Sequence, residues 1–240
     1  MSTKTRGYDY LPGISIDCVI FGFHDNQLKI LLLNFKNTDW LAVPGGFIKE
    51  SENLEEAAQR ILEERTGLTN IYLEQFYVFG DRDRRDNEML KSLMKAVDGV
   101  ELSPDHYLMT RFLSIGYYAL IDFTKANPTP DYTSDSCQWY DIDTIPTLIY
   151  DHSAMVKKAL ETLRFFLDEK LIGFNLLPEV FTMNDLQNMY ETILDKKLLR
   201  TNFQRKMLSL GILERLDKKM TGAANKAPYL YRFVGKESNV

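Results

Sequence analysis

Cysteine is scarce in this 240-residue chain, and long apolar segments are missing. Cys18 and Cys137 are the only cysteines, which excludes a disulfide framework or a thiolate zinc site and is typical of a reducing compartment. No apolar run approaches the roughly 20 residues that span a bilayer, and the N-terminus lacks the apolar segment of a signal peptide. We therefore expect a cytoplasmic protein without a membrane partner.

Charge is distributed unevenly along the chain. Residues 196–240 hold eleven Lys and Arg against three acids, a net charge of +8. Because the whole chain carries −5, the first 195 residues carry −13. A basic end of this kind is typical of a segment that binds a polyanion such as nucleic acid, although a solvated basic tail would have the same composition.

The hydrophobic pattern predicts several strands and two long helices before residue 170. Two of the predicted strands lie within 14–33 around a turn at 24–27, and the others are 40–43, 71–79, 111–122 and a short strand from Trp139. The predicted helices are 53–66, which ends at Gly67, and 152–169. Residues 81–110 form a polar segment with a helical pattern at 87–97. Thirty residues are too many for an ordinary loop, so we expect this segment to be functional or partly disordered.

The last third of the chain has a different pattern. Thr182 and Asp185 resemble a capping box that starts a helix reaching about Leu194. A basic turn, a second helix at about 200–210 and two strands at 212–216 and 229–234 follow. Helix, turn, basic helix and basic hairpin is the order of a winged helix-turn-helix, with Phe203, Met207 and Leu210 as the inward face of its second helix.

Residues 46–68 resemble the Nudix box, G-x5-E-x7-R-E-U-x-E-E-x-G-U, in which U is aliphatic. Gly46, Glu52, Arg60 and Gly67 match it, and seven of the nine defined positions agree at the required spacing. The resemblance implies a Nudix α/β/α sandwich with a mixed sheet. Together with the winged helix, it predicts an α+β chain of two domains, residues 1–155 and 156–240.

The cation-binding part of the box is degenerate. In Nudix enzymes the box helix presents three carboxylates that hold divalent cations against a pyrophosphate; the resemblance places them at Ile61, Glu64 and Arg65 here. A guanidinium next to a Mg²⁺ site adds repulsion worth a few kcal/mol. We therefore predict no catalytic residue, no metal site and no cofactor, with Mg²⁺ involved only if some hydrolase activity survives.

Other acids near the box leave an alternative open. These acids are Glu50, Glu52, Glu55, Glu56 and Glu63, and one of them could replace a lost ligand. The favoured interpretation is that they lie on a solvated helix face or, for Glu52, that the carboxylate braces Arg60. Arg65 either pairs with a neighbouring glutamate or faces the old catalytic cleft and binds an anionic or polyhydroxyl ligand. His152, which follows Asp151, is interpreted as a capping or interdomain contact rather than a catalytic group.

The chain as a whole resembles the Nudix-related transcriptional regulators of the NrtR and AraR-like group. Residues 79–83 and 111–118 resemble a G-D-x-D-R…R-x-x-S-x-x-Y pattern, which is split here by an insertion at 86–108. The other segments outside the box that carry the resemblance are 149–152, 172–178 with 181–182, 186–191, 202–206 and 230–233. The resemblance implies a homodimer on a palindromic double-stranded operator, with a sugar or ADP-ribose-like effector in the Nudix domain. The predicted effector contacts are Glu64, Arg65, Arg82 and Arg111.

The second helix of the winged domain is the predicted recognition helix. Its polar positions face outward, and basic side chains there bind phosphates or guanine. The predicted DNA contacts are Arg200, Thr201, Asn202, Gln204, Arg205 and Lys206 on the helix and Lys218, Lys219 and Lys226 on the wing. Two other functions fit the sequence less well: a hydrolase of ADP-ribose or a related nucleoside diphosphate, and a protein–protein module.

Overall fold

A mixed sheet forms the centre of the first domain. The computed structural model describes residues 9–69, 71–84, 86–168, 176–218 and 227–234. The strands of the first domain in the described ranges are β1 (Tyr10–His24), β2 (Gln27–Phe35), β3 (Leu41–Ala42), β4 (Gly45–Lys49), β5 (Leu73–Phe79), β6 (Leu113–Asp122) and β7 (Ser134–Asp141). Their order is β3-β2-β1-β6-β5, with β4 paired to β1 and β7 to β2; β1 and β6 are parallel, whereas the other pairs are antiparallel.

Alternate residues of β1 build the two sides of the core. Ile16, Cys18 and Ile20 face the box helix α1 (Leu54–Thr66), while Val19 and Phe21 belong to the cluster that includes α3 (His152–Phe166). The period of two along a strand explains this division. Helices thus cover both faces of the sheet, which confirms the predicted α/β/α sandwich.

The insertion is a helix with both ends capped. Asp86 accepts hydrogen bonds from the backbone N–H groups of Glu88 and Met89 at the start of α2 (Asn87–Asp98), and Gly99 ends the helix in the left-handed conformation. Leu90 and Leu93 are buried, which shows that α2 packs on the domain. A short 3-10 turn at Tyr107–Met109 precedes β6.

The winged domain follows the predicted order of elements. It contains β8 (Phe181–Thr182), α4 (Met183–Leu194), α5 (Arg200–Ser209), β9 (Leu213–Lys218) and β10 (Tyr229–Phe233), with sheet order β8-β10-β9. The capping box at Thr182 is present, since its hydroxyl accepts from the backbone of Asp185. The prediction that Leu210 faces inward was wrong: it is 41% exposed, because α5 ends at Ser209 and the chain turns at Gly211.

Helix α3 connects the two domains and spans the predicted boundary at 155/156. Its Met155 and Leu163 are fully buried in a core cluster that continues to Phe181 and Leu186 of the winged domain. Arg164 Nε donates to the carbonyl of Ile193 at the end of α4, 2.8 Å away. Over the residues described, the structure contains no helix that could cross a membrane.

Candidate functional site

A cavity of about 510 Å³ opens beside the box helix. We call it the Nudix cavity and define it by the polar residues Asp17, Glu64, Arg65, Arg84 and His152 with the aromatic Phe47, all of which line it. These side chains come from β1, β4, α1, the segment after β5 and the start of α3. The box therefore forms one wall of a cleft large enough for a small ligand.

A partly buried ion pair fixes the shape of the box. Arg60 donates through Nε to Glu52 Oε2 (3.0 Å) and through Nη2 to Glu52 Oε1 (2.6 Å). Arg60 Nη2 also donates to the carbonyl of Phe47, and Glu52 accepts from the backbone of Lys49. The hydrogen bonds from Arg60 lower the pKa of Glu52 below its ordinary value. The interpretation of Glu52 as a brace for Arg60 agrees with this geometry.

The Glu52→Gln variant should be less stable at neutral pH, by roughly 2 kcal/mol, because a charge-assisted bidentate pair is lost. Since the folded-state pKa of Glu52 is depressed, its contribution to stability is present above the unfolded pKa near 4.3 and is lost as the pH falls through the folded pKa. Thermal unfolding measured from pH 7 to pH 3 should show that the difference in stability between the wild-type protein and the Glu52→Gln variant disappears at the acid end. A constant difference over that range would contradict the brace.

The positions that hold cations in Nudix enzymes do not fit a divalent cation here. Ile61 is 1% exposed and packs in the core beneath Gly46. Glu64 lies 3.4 Å from Arg60 Nη1 and 3.5 Å from Arg65 Nη2, so the remaining carboxylate already faces two guanidinium groups. Of the neighbouring acids, Glu56 caps α1 through the backbone of Asn53. Across the described ranges, no cluster of three or more His, Cys, Asp or Glu is placed to hold a metal.

Arg65 is nearly buried yet faces the cavity. Its Nη2 lies 3.5 Å from Glu64 Oε2 and 3.8 Å from Asp131 Oδ2, beyond good hydrogen-bonding distance. Its Nε is buried and has no hydrogen-bond partner in the part of the chain that the structure describes. Arg65 nevertheless lines the cavity, and a guanidinium at a cleft is suited to a phosphate oxygen. The position of Arg65 is therefore compatible with both interpretations, because Arg65 pairs loosely with Glu64 and also lines the cavity.

Aromatic rings also line the cavity. The ring centroid of Phe47 lies 5.5 Å from that of Phe112 and 6.0 Å from that of Tyr10. Tyr132 also lines the cavity, with Lys36 Nζ 4.8 Å from its ring centroid. Such rings provide an apolar surface on which a planar base or the face of a sugar packs.

The floor of the cavity contains a polar network. Ser114 Oγ donates to Asp17 Oδ2, and Arg84 Nη2 lies 3.9 Å from the same oxygen. Arg84 also donates to both oxygens of Asp151, at 2.9 and 3.0 Å. His152 Nδ1 accepts from the backbone N–H of Val43 at 3.2 Å. His152 thus braces the cavity wall, rather than forming a cap or an interdomain contact.

Sequence reasoning missed Asp17 and Arg84. Arg84 is the last residue of the G-D-x-D-R pattern, so the pattern itself pointed to it rather than to Arg82. Arg82 lies outside the cavity, highly exposed and paired with Asp83 at 3.1 Å, and Arg111 is exposed and donates to the carbonyl of Gly80. Of the four predicted effector contacts, the structure brings Glu64 and Arg65 into the cavity; a contact from Arg82 or Arg111 stays a prediction.

The recognition helix α5 presents a basic surface. Phe203 and Met207 are buried beneath it, and Gln204 is half-buried. Its exposed polar residues are Arg200, Thr201, Asn202, Arg205 and Lys206. Lys206 also pairs with Asp168, two residues after the end of α3.

On the wing, Lys218 is exposed at the end of β9, with Nζ 5.2 Å from the ring centroid of Tyr229. Lys219 and Lys226 lie outside the described residues.

A Nudix sandwich with Ile61 and Arg65 at two of the cation positions, joined to a winged helix with a basic recognition helix, defines the class of DNA-binding proteins that sense a small ligand. The models of two families match the chain: the NUDIX domain over residues 11–160 and the NrtR DNA-binding winged helix domain over residues 173–233. The chain belongs to the NrtR family of Nudix-related transcriptional regulators. Accordingly, it is a transcriptional regulator that binds DNA through the winged helix and a ligand in the Nudix domain.

Three similar proteins illustrate the relationship. The ADPR responsive transcriptional repressor NtrR of Acinetobacter baylyi is 30% identical over 230 residues, which cover 93% of this chain and 82% of the relative. The crystal structure of Shewanella oneidensis NrtR complexed with a 27mer DNA is 25% identical, with a TM-score of 0.67 over 92% of this chain and 93% of that one. An ADP-ribose pyrophosphatase of Methanocaldococcus jannaschii is 27% identical over 149 residues, 61% of this chain and 72% of the enzyme.

Proposed function

We propose that this regulator responds to ADP-ribose or a closely related nucleotide sugar, which the Nudix cavity binds without hydrolysing it. The observation that carries the proposal is Arg65, a cavity-lining guanidinium at a position where Nudix enzymes hold a metal. The name of the Acinetobacter baylyi relative, an ADPR responsive repressor, supports the same ligand. Titration of ADP-ribose by calorimetry tests the proposal: we expect a saturable isotherm, and the absence of binding would overturn it.

The cavity matches the parts of ADP-ribose better than those of a free sugar. Arg65 supplies a cation for the pyrophosphate, and the rings of Phe47 and Phe112 supply a surface for the base. A free pentose carries no anion to pair with the Arg65 guanidinium, whereas the pyrophosphate of ADP-ribose does. Sugar effectors such as arabinose are therefore the second choice.

Binding without hydrolysis follows from the charges at the old cation site. Two guanidinium groups lie within 3.5 Å of Glu64, the surviving carboxylate of the predicted cation triad, and repel a divalent cation. The chain then works without a metal cofactor. Since in Nudix enzymes the cation activates the attacking water, its exclusion leaves the pyrophosphate intact.

Purified protein incubated with ADP-ribose and Mg²⁺ or Mn²⁺ should release no AMP above a protein-free control over several hours. Liquid chromatography of the nucleotides measures this directly. The matched control is a genuine ADP-ribose pyrophosphatase in the same buffer. AMP release at an ordinary enzymatic rate, about 1 s⁻¹ or faster, would favour the alternative function, a Nudix hydrolase that carries a winged helix.

A homodimer on a palindromic operator completes the proposal. Two winged helices related by a twofold axis would present their α5 helices to half-sites about one helical turn apart. Native mass spectrometry of the complex should show two chains for each palindromic duplex. One chain on each duplex would contradict this arrangement.

A further inference from the structure

The floor of the Nudix cavity holds an acceptor and a donor that face each other across a gap. Asp17 Oδ1 and His152 Nε2 are 4.0 Å apart, and both side chains line the cavity. Within the described residues, no hydrogen bond of standard geometry reaches Oδ1, whereas Oδ2 accepts from Ser114. A separation of 4.0 Å is too long for a direct hydrogen bond, and it leaves room for one oxygen atom about 2.8 Å from each group.

The chemistry of the two groups is fixed by their surroundings. His152 Nδ1 accepts from the backbone of Val43, so the neutral imidazole carries its proton on Nε2, which faces the gap. Burial lowers the pKa of His152, which keeps the ring neutral at pH 7. Asp17 is held by Ser114 and lies close to Arg84, and an ionised carboxylate only accepts hydrogen bonds. The gap thus offers one donor and one acceptor to the same atom.

A hydroxyl group fits this gap because it both accepts and donates. Its oxygen would accept from His152 Nε2 and its proton would go to Asp17 Oδ1. A phosphate oxygen only accepts and would be repelled by the carboxylate, and a methylene group would leave both partners unsatisfied. Arg65 lines the same cavity and is suited to the anionic part of the ligand.

We infer that Asp17 and His152 form a hydroxyl-reading clamp that selects effectors by a ribose hydroxyl. The inference rests on the proposed function and deepens it: Arg65 recognises the pyrophosphate, and the clamp distinguishes ADP-ribose from nucleotides that lack the hydroxyl. The clamp also explains why a carboxylate occupies an otherwise apolar stretch of β1, since a buried charge persists only where partners satisfy it.

The test measures discrimination rather than affinity alone. The Kd values of ADP-ribose, ADP and an ADP-ribose analogue without the adenosine 2′-hydroxyl are determined by calorimetry for the wild-type protein and three variants. Asp17→Asn removes the ionised acceptor. His152→Asn keeps a polar atom near the position of Nδ1 but has none at Nε2. Asp122→Asn is the matched control, because it removes a carboxylate that lies 3.3 Å from another histidine, His24, and neither residue is among the described residues that line the cavity.

In the wild-type protein, at least one analogue should bind more weakly than ADP-ribose by about tenfold or more. That ratio should fall about tenfold in Asp17→Asn and in His152→Asn and stay unchanged in Asp122→Asn. The analogue whose ratio falls identifies which ribose supplies the hydroxyl. Binding of ADP-ribose with unchanged ratios in both cavity variants would overturn the clamp alone, whereas a wild-type protein that does not bind ADP-ribose would overturn the proposed function and the clamp together.

Discussion

Replacing both Arg205 and Lys206 by alanine should weaken binding to duplex DNA on the order of 60-fold at about 0.1 M salt. Both side chains are exposed on α5, above the buried Phe203 and Met207. Each lost phosphate contact removes about 0.9 from the slope of log K against log salt, so two contacts remove nearly two units. Fluorescence anisotropy with a labelled duplex at several salt concentrations measures both the affinity and the slope.

The double variant Lys95→Ala and Lys125→Ala is the matched control. It changes the net charge by the same amount at two exposed lysines of the Nudix domain, and we expect it to leave the salt slope unchanged. Equal slopes for the wild-type protein and the α5 variant would contradict the assignment of α5 to DNA. Because Lys206 also pairs with Asp168, Arg205→Ala alone separates the loss of a DNA contact from the loss of that pair.

Arg65→Ala should weaken ADP-ribose binding by about 10- to 100-fold, since it removes a charge-assisted contact to the pyrophosphate. Arg65→Lys should recover only part of the affinity, because an ammonium group cannot make the planar bidentate contact. Calorimetric titration gives the Kd values, and thermal unfolding verifies that the variants fold. Lys95→Ala, on α2, is the control for charge alone. An unchanged Kd in Arg65→Ala would place the pyrophosphate elsewhere in the cavity.

The Nudix box could be identified from the sequence because a helix fixes the spacing of its residues. Glu52 lies in the loop before α1 and Arg60 lies on α1, and the motif fixes the number of residues between them. Their pairing therefore follows from the motif. Arg65 stands where the motif has an acid, which predicts the loss of a cation ligand. The end of α1 and the start of α4 were also predictable, since Gly67 and the capping box at Thr182 are local signals that depend on a few neighbouring residues.

The floor of the cavity could not be predicted in the same way. Asp17, Arg84 and His152 are distant in sequence and meet only because β1, the segment after β5 and the start of α3 converge at the centre of the sheet. A charged residue within an apolar strand such as Asp17 is nevertheless a usable signal, because burying it requires a partner. Arg82 and Arg84 differ by two residues in an irregular turn, where no periodicity indicates which one points inward.

The exposure of Leu210 illustrates a similar limit. It continues the helical spacing of Phe203 and Met207, but the helix ends one residue earlier and the chain turns at Gly211, which leaves the side chain 41% exposed. Helix ends are the least certain part of a periodic pattern, and the burial of a terminal residue depends on them.

The most direct test of a ligand-sensing regulator is to titrate ADP-ribose into the protein–DNA complex while monitoring anisotropy, and to quantify the nucleotide in the same sample afterwards. We expect the Kd for DNA to change with ADP-ribose concentration and the ADP-ribose to be recovered intact. A DNA affinity that does not respond, together with conversion of ADP-ribose to AMP, would contradict the account.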